Sequence, residues 1–252
     1  MMGLHPDFLR LPIAHRGLHS DGIPENSMAA FRAAIAAGYG IECDIQAASD
    51  GTPIVFHDDD LPRLTGAEGL VRALGMDAIS MLRIMGTDQA VPTLAELLAE
   101  VAGRVPLLIE IKDQSLRATD DIGDLSVRVA ELVAAYDGPV AVMSFNPHSI
   151  AAFHAAAPGV TVGLTTCGYD PDEWAMLDAS TRARLAAIAD YDRVGASFVS
   201  HDRKDLDNPA LTALKSQGVP VLTWTIRSPA QEADARRVAD NITFEGYLPE
   251  GA

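Results

Sequence analysis

Residues 40–58 read GIECDIQAASDGTPIVFHD and contain two strand-like segments joined by a short linker. Two apolar runs, Gly40 to Gln46 and Pro53 to His57, have the composition of β-strands. The linker between them is short and has Asp50-Gly51 at its centre, which is a hairpin signal. A parallel pair would need a crossover of a dozen or more residues, so the two strands are predicted to be antiparallel.

The register of this hairpin brings two ionisable side chains together. A turn centred on Asp50-Gly51 pairs residues whose numbers sum to about 101, because the hairpin register follows from the turn. His57 is then expected opposite Asp44. Alternate residues of a strand share a face, so Glu42 and Asp44 point the same way and Cys43 points to the other side.

Outside the hairpin, short apolar runs alternate with amphipathic helical patterns, which indicates a largely parallel sheet. Nine strands are predicted, and eight remain without the hairpin's return strand, as in a closed barrel of roughly 250 residues. We therefore predict an α/β fold, a TIM-type (β/α)8 barrel with a β-hairpin after the second strand, with an open doubly wound sheet as the alternative. The predicted strands are Leu11 to His15, Gly40 to Gln46, Pro53 to His57, Val105 to Lys112, Val140 to Phe145, Val160 to Thr165, Ser197 to His201, Val219 to Ile226 and Asn241 to Phe244.

The helical patterns have clear starts and stops. The first opens at Asn26-Ser27 and ends at Gly38, and another begins after Thr93. Residues 58–91 have weak periodicity and several glycines, so we expect a short excursion there. It is too short for a second domain, and residues 1–252 are predicted to form a single catalytic barrel domain.

Composition and charge exclude several classes of protein. The chain has 252 residues, of which 48% are hydrophobic, enough for a sizeable globular core. Its net charge of -16 argues against binding nucleic acid or an anionic membrane surface. Neither an export signal nor an apolar stretch of membrane-spanning length is visible, which predicts a cytoplasmic protein without stable membrane insertion. Cys43 and Cys167 cannot form a disulfide framework and are expected to be small buried residues.

Ionisable residues close several of the predicted strands. The carboxyl-terminal ends of the strands form the face of a (β/α)8 barrel where sites are built. These residues should therefore meet at one mouth of the barrel. They are His15, Arg16, Glu42, Asp44, His57, Glu110 and Lys112.

The types of these residues indicate phosphodiester chemistry. Three partly buried carboxylates, Glu42, Asp44 and Glu110, require a cation, and an all-oxygen set suits Mg²⁺ or Ca²⁺. Two histidines, His15 and His57, could serve as acid and base near neutral pH. The cations of Arg16 and Lys112 are suited to a phosphoryl group whose charge rises in the transition state.

An ordered set of motifs resembles the glycerophosphodiester phosphodiesterase family. The set covers residues 11–112 most specifically, and it extends more loosely to Ser144-Phe145 and to Trp224 on the penultimate strand. The motifs are Ala14-His15-Arg16-Gly17, Pro24-Glu25-Asn26-Ser27, Glu42-Cys43-Asp44, Asp50-Gly51, His57-Asp58 and Ile109-Glu110-Ile111-Lys112.

The resemblance implies a function and a role for each site residue. It implies one divalent cation held by Glu42, Asp44 and Glu110, and an acid/base pair formed by His15 and His57. Arg16 and Lys112 would hold the phosphate. Trp224 is expected to form a wall of the ligand pocket, with a place in the core as the alternative, since a barrel also needs large core aromatics. The reaction implied is cleavage of a glycerophosphodiester to sn-glycerol 3-phosphate and an alcohol. The glycerol 2-hydroxyl would attack phosphorus before water opens a cyclic intermediate.

The chain departs from the commoner family pattern in the compact excursion after His57-Asp58 and in its ending, Phe244-Glu245-Gly246-Tyr247. Both differences bear on substrate range more than on the type of reaction. The preferred alcohol, the native metal, the oligomeric state and the division of acid and base between the histidines stay open.

Other hypotheses share some of these features. A phospholipase-like enzyme acting on lysolipids would have the same constellation and an added apolar ramp. A non-catalytic barrel that binds phosphate ligands would not need the pair of histidines, and a zinc amidohydrolase would need a His-x-His pair, which is missing. The carboxylates could also form a structural ion network with the two cations. The remaining histidines, expected to be surface or local hydrogen-bonding residues, are His5, His19, His148, His154 and His201.

Overall fold

The computed structural model describes residues 3–249. Eight parallel strands close into a barrel, and a ninth strand pairs antiparallel with one of them. The strands are β1 (Ile13–Ala14), β2 (Gly40–Ala47), β3 (Pro53–Val55), β4 (Leu107–Ile111), β5 (Val140–Ser144), β6 (Thr161–Thr166), β7 (Phe198–Asp202), β8 (Val221–Ile226) and β9 (Asn241–Phe244).

The barrel closes through its short first strand. On β1, Ala14 pairs in parallel register with Ile41 of β2 on one side and with Phe244 of β9 on the other. The remaining parallel strands follow one another in chain order from β4 to β9. The predicted closed barrel is therefore confirmed, and the open doubly wound sheet is excluded.

The hairpin is also confirmed, but its register differs from the prediction by one residue. Ala47 pairs with Pro53, so the turn has five residues and its centre is Asp50 alone rather than the Asp50-Gly51 pair. As a result Phe56, and not His57, lies opposite Asp44, and its backbone N–H donates to the Asp44 carbonyl at 3.0 Å. The prediction that His57 faces Asp44 across the hairpin was wrong.

The helices cover the outside of the barrel, and several begin as their sequences predict. Ser27 accepts a hydrogen bond from the backbone of Ala30 at the start of one helix, and Gly38 ends that helix in the left-handed conformation. Thr93 and Glu96 form a capping box. The helices are α1 (Asp7–Arg10), α2 (Met28–Ala37), α3 (Pro62–Thr65), α4 (Met76–Ile79), α5 (Leu94–Val101), α6 (Leu125–Val133), α7 (Pro147–Ala156), α8 (Ala179–Ala186), α9 (Pro209–Ser216) and α10 (Pro229–Ala235), with short 3-10 helices at Val71–Ala73 and Arg203–Asp205.

The excursion at residues 58–91 contains α3, α4 and the first 3-10 helix. It has its own apolar cluster, in which Leu61, Leu64 and Ile79 pack with Ile54 and Phe56 of the hairpin. The weak periodicity reflects these single-turn helices, which are too short to show a repeating stripe. The excursion is thereby fixed to the hairpin that precedes it.

One end of the barrel is closed by apolar side chains. Phe8 of α1, Leu108 of β4 and Phe198 of β7 are fully buried in one cluster there. A Cβ on Gly163 would lie 2.5 Å from the Phe198 ring, so the strand needs glycine at this position. Because this end is filled, polar groups can gather only at the opposite mouth. Over residues 3–249, no helix combines the length and the hydropathy needed to cross a membrane.

Candidate active site

Three carboxylates meet at the carboxyl-terminal mouth of the barrel. Glu42 and Asp44 alternate along β2, and Asp44 is directly paired with Glu110 of β4. All three are buried, with relative exposures of 2, 2 and 6%. One oxygen from each can be chosen so that the three lie within 4.8 Å of one another. This compact set of hard oxygen donors fits a divalent cation such as Mg²⁺ or Ca²⁺.

Two basic side chains neutralise part of this cluster. Lys112 Nζ lies 2.8 Å from Glu110 Oε1 and 3.4 Å from Asp44 Oδ1. The Nε of Arg16 lies 3.3 Å from Asp44 Oδ2. Glu42, by contrast, accepts only the backbone N–H of Arg16 among these groups, at 2.9 Å. The two cations therefore lie closest to Asp44 and Glu110, and the carboxylate of Glu42 is the one that they compensate least.

The pKa values of the carboxyls follow this uneven distribution. Burial, with the nearby charges of Asp44 and Glu110, raises the pKa of Glu42 well above its usual range. Burial alone would also raise the pKa of Asp44, but the surrounding cations, Lys112 first, lower it. A negative charge on Glu42 is thus the least compensated of the three, and a bound cation would compensate it.

Asn26 and Arg16 fix the approach to Asp44. Both have left-handed backbone conformations, with φ of 52° and 54°, and the Asn26 backbone N–H donates to the Arg16 carbonyl at 2.9 Å. The Asn26 side chain donates to Asp44 Oδ2 at 2.9 Å, and Glu25 accepts from Arg16 at 2.6 Å. The helix cap is Ser27. Glu25 and Asn26 therefore support the site rather than the start of α2.

Each of the two site histidines has a carboxylate on its Nδ1. His57 Nδ1 lies 2.8 Å from the neighbouring Asp58, while His15 Nδ1 lies 2.5 Å from Glu245, which is far away along the chain. An arginine holds each carboxylate in turn. Arg63 donates to Asp58 at 2.6 Å, and Arg227 donates to Glu245 at 2.7 Å.

The predicted site residues line one cavity of about 190 Å³ at this mouth. A larger groove of about 600 Å³ lies around Leu4 and Pro139, but its described lining contains no carboxylate and cannot perform the same chemistry. All eight predicted residues are brought together. They are His15, Arg16, Glu42, Asp44, His57, Glu110, Lys112 and Trp224.

A second, mostly apolar cavity of about 350 Å³ adjoins the first. Both cavities are lined by His57, Phe145 and Trp224, so the two spaces share a wall. Phe145 packs against Trp174 and Trp224, with ring centroids 5.2 and 5.6 Å apart. Charged side chains of the first cavity, together with those of Asp59 and Asp113, reach its edge. Most of the remaining lining is apolar, namely Leu116, Ala118, Tyr169, Met176, Leu177 and Leu185.

Some residues of the site escape sequence reasoning. Glu245 directly follows the last strand, as His15 follows the first, so the rule that strand ends carry the site could have identified it. His19 was expected to act locally, but its Nε2 lies 3.6 Å from Glu245 Oε2 at the edge of the site. His201 is fully buried between Thr166 and Asp205, as a local hydrogen-bonding residue should be.

Both cysteines are buried, as predicted. Cys43 lies on the face of β2 opposite the carboxylates, in the apolar cluster between barrel and helices. Burial raises the pKa of Cys167 to about 12. Neither thiol therefore takes part in the site.

Comparisons with known proteins agree with this geometry. Residues 15–242 match the model of the glycerophosphoryl diester phosphodiesterase family. The glycerophosphodiester phosphodiesterase of Caldanaerobacter subterraneus subsp. tengcongensis is 32% identical over 167 residues, which is 63% of this chain and 68% of that protein. Human glycerophosphodiester phosphodiesterase 1 is 32% identical over 163 residues, 61% of this chain but only 48% of that protein.

The fold has solved counterparts as well. A phosphodiesterase from Oleispira antarctica, solved in complex with the product sn-glycerol-3-phosphate, superposes with a TM-score of 0.73. The match covers 94% of each chain at 23% identity. The family match runs from His15, directly after the first strand, to Ile242 in the last strand. This chain belongs to the glycerophosphoryl diester phosphodiesterase family.

Proposed function

We propose that this protein is a metal-dependent hydrolase that cleaves glycerophosphodiesters to sn-glycerol 3-phosphate and an alcohol. The observation that carries the proposal is the meeting of three carboxylates, two imidazoles and two cations in one cavity at the barrel mouth. The name of the Caldanaerobacter relative and the product found in the Oleispira structure support the same reaction.

The substrate's phosphate would lie between Arg16 and Lys112. Both side chains are mostly buried, so their charges act with little screening by water. A divalent cation held by Glu42, Asp44 and Glu110 would withdraw charge from the phosphoryl oxygens. The chain's own cations would keep the phosphate oriented while negative charge develops on it.

The two histidines would move the protons. One imidazole removes the proton of the glycerol 2-hydroxyl as its oxygen bonds to phosphorus, and the other protonates the departing alcohol oxygen. A water molecule then opens the cyclic phosphate, giving its proton to an imidazole and its oxygen to phosphorus, while the 2-oxygen regains a proton. The net reaction consumes one water and leaves both histidines unchanged.

The test is release of glycerol 3-phosphate from glycerophosphocholine and glycerophosphoethanolamine by purified protein. We expect release with Mg²⁺ or Ca²⁺, and none after chelation. Glu42→Gln and His15→Ala should each lower kcat at least about 100-fold without unfolding the protein. Glu131→Gln, an exposed carboxylate on α6, is the matched control and should retain full activity.

Two results would contradict the proposal. Release that persists unchanged after chelation would remove the metal from the mechanism. Binding of glycerophosphocholine by calorimetry without any turnover, with either metal, would favour the non-catalytic phosphate-binding barrel instead.

The apolar cavity favours a second candidate substrate, a lysolipid, in which the glycerol carries an acyl chain. The cavity opens beside His57 and Trp224, so the acyl chain of a glycerol bound in the site would extend into it. Its lining is dominated by aromatic and aliphatic side chains, which gain by covering an apolar chain. Met176 stands exposed at its rim, with 58% relative exposure.

One amino-acid substitution distinguishes this candidate substrate from the first. Met176→Glu should lower kcat/KM for a lysolipid several-fold and leave the value for glycerophosphoethanolamine unchanged, because a carboxylate at the rim opposes entry of an acyl chain. Met81→Glu, at an exposed methionine of the excursion, is the control. Equal effects of Met176→Glu on both substrates would exclude the apolar cavity as the site of the acyl chain.

A further inference from the structure

We propose that Glu245 is a positioning residue that holds His15 in the form needed for proton transfer. Its Oε2 lies 2.5 Å from His15 Nδ1, so the carboxylate accepts the proton that this nitrogen carries. His15 lines the site cavity, and with Nδ1 engaged, Nε2 is the nitrogen left for the substrate. The inference rests on the proposed function of His15 and adds a residue that the family motifs do not include.

The backbone fixes the two residues relative to one another. Ala14 and Phe244 are paired in the ladder that closes the barrel, and His15 and Glu245 are the next residues on each strand. The His15 backbone N–H donates to the Phe244 carbonyl at 2.9 Å, and that of Glu245 donates to the Ile226 carbonyl at 3.0 Å. The separation of the side chains is thus set by the barrel itself and not by a mobile loop.

The carboxylate of Glu245 is also restrained from its other side. Arg227 Nε donates to Oε1 at 2.7 Å, which leaves Oε2 to face His15. His19 Nε2 lies 3.6 Å from Oε2. A carboxylate that is bound at both oxygens has a fixed orientation. It can therefore orient an imidazole more precisely than a freely rotating side chain could.

The electrostatic environment agrees with this role. Burial would raise the pKa of Glu245, but the hydrogen bond with His15, the nearby His19 and the charge of Arg227 lower it, so it is ionised at neutral pH. Burial lowers the pKa of His15 and Arg16 adds to this effect, while Glu245 and Asp44 oppose it.

A metal site at His15, His19 and Glu245 is the competing interpretation, because donor atoms of all three lie within 4.8 Å. Two features oppose it. The 2.5 Å approach of Glu245 to His15 is a hydrogen-bond distance, and the guanidinium of Arg227 already occupies the other carboxylate oxygen. A cation there would stand next to a fixed positive charge.

The first test needs no substrate. In protein labelled with ¹⁵N-histidine, the His15 resonances, assigned by their loss in His15→Ala, should show the proton on Nδ1 in the wild type. In Glu245→Met, which removes the acceptor, the proton should move to Nε2. An unchanged tautomer would overturn the proposal whether or not glycerophosphodiesters prove to be substrates. A shift of both the His15 and the His19 signals on addition of Zn²⁺ alone would favour the metal site.

The second test measures turnover. Glu245→Gln keeps an acceptor and Glu245→Met does not, so we expect kcat to fall by about 10-fold and about 100-fold, with little change in KM. The pH–rate limb that His15→Ala abolishes should shift to lower pH in Glu245→Gln, because the carboxylate's charge no longer favours the imidazolium. Glu232→Gln, which loses a bond to Arg236 outside the site, is the control.

The decisive comparison uses the double variant. If Glu245 acts through His15, adding Glu245→Met to His15→Ala should cause no further loss of kcat. A loss that multiplies with that of His15→Ala would mean that Glu245 supports the protein in another way, and the proposal would fail. Wild-type protein that releases no glycerol 3-phosphate would contradict the proposed function and leave the tautomer test intact.

Discussion

Lys112 and Glu110 are two positions apart at the end of β4, and the lysine Nζ lies 2.8 Å from the carboxylate. The two side chains stand at neighbouring positions on the same side of the chain, which keeps them close together. Although burial alone would lower it, the charges of Glu110 and Asp44 raise the pKa of Lys112 above its usual range. Lys112 is therefore charged at neutral pH.

Replacing Lys112 should impair both activity and stability. In Lys112→Met the carboxylates of Glu110 and Asp44 lose their cation, and breaking a buried pair costs about 3–5 kcal/mol. We expect the free energy of unfolding to fall by about that amount and Mg²⁺ to restore part of it. Urea unfolding with and without Mg²⁺ measures this. Lys215→Met, at a half-exposed pair with Asp240, should change stability little.

Replacing Asn26 by alanine should destabilise the protein more than replacing it by glycine. Both substitutions remove the bond to Asp44, at about 1–3 kcal/mol for the unsatisfied group. Only alanine adds the strain of a left-handed residue with a Cβ, about 1 kcal/mol more. Thermal unfolding of Asn26→Ala and Asn26→Gly tests the difference, and equal losses would show that the backbone conformation relaxes.

Asp58 should make stability depend on pH. Burial alone would raise its pKa, but the bonds from His57 and Arg63 lower it. A carboxyl with a lowered folded pKa contributes stability above its unfolded pKa of about 4, and the contribution disappears as pH falls through the folded value. Asp58→Asn should therefore cost on the order of 1 kcal/mol at pH 7, since the group is partly exposed.

The measurement for Asp58 is urea unfolding of the variant and the wild type between pH 7 and pH 2. The difference between them should shrink steadily below about pH 4. A difference that stays constant with pH would mean that Asp58 contributes through packing rather than through its charge.

Gly163 should not tolerate a methyl group. Its Cβ would lie 2.5 Å from the ring of Phe198 at the closed end of the barrel, and overpacking of this kind costs about 1–3 kcal/mol. Gly163→Ala should lower Tm, and adding Phe198→Leu should recover part of the loss. Gly159→Ala is the control, since nothing lies within 4 Å of its Cβ.

The strands and the metal-binding candidates on β2, Glu42 and Asp44, could be predicted because they depend on a local sequence pattern. Alternation along β2 places Glu42 and Asp44 on one face whatever the rest of the fold does. The hairpin register could not be predicted to the residue, since a turn of five residues and one of four contain the same Asp50-Gly51 signal. That single residue decides whether Phe56 or His57 meets Asp44.

Contacts between distant parts of the chain were harder to foresee. The last strand, Asn241–Phe244, was predicted with the bounds that the structure has. The strand that pairs with it was not predicted, because the pairing of β9 with β1 arises only when the whole barrel closes and leaves no signal in the local sequence. Glu245 was consequently noted only as a departure from the family pattern, and its approach to His15 was missed. A cytoplasmic location and the roles of the site residues stay predictions.

The meeting of β1 with β9 has a consequence for how the protein is made. During translation β1 is synthesised before all the other strands and β9 after them. For most of its synthesis a nascent chain therefore contains His15 but lacks the strand that closes the barrel beside it. Fragments that end before β9 would retain the carboxylates of β2 and β4 and lack a closed mouth. Prematurely terminated chains are thus expected to be inactive rather than partly active. Their degradation by proteases would therefore remove no active enzyme.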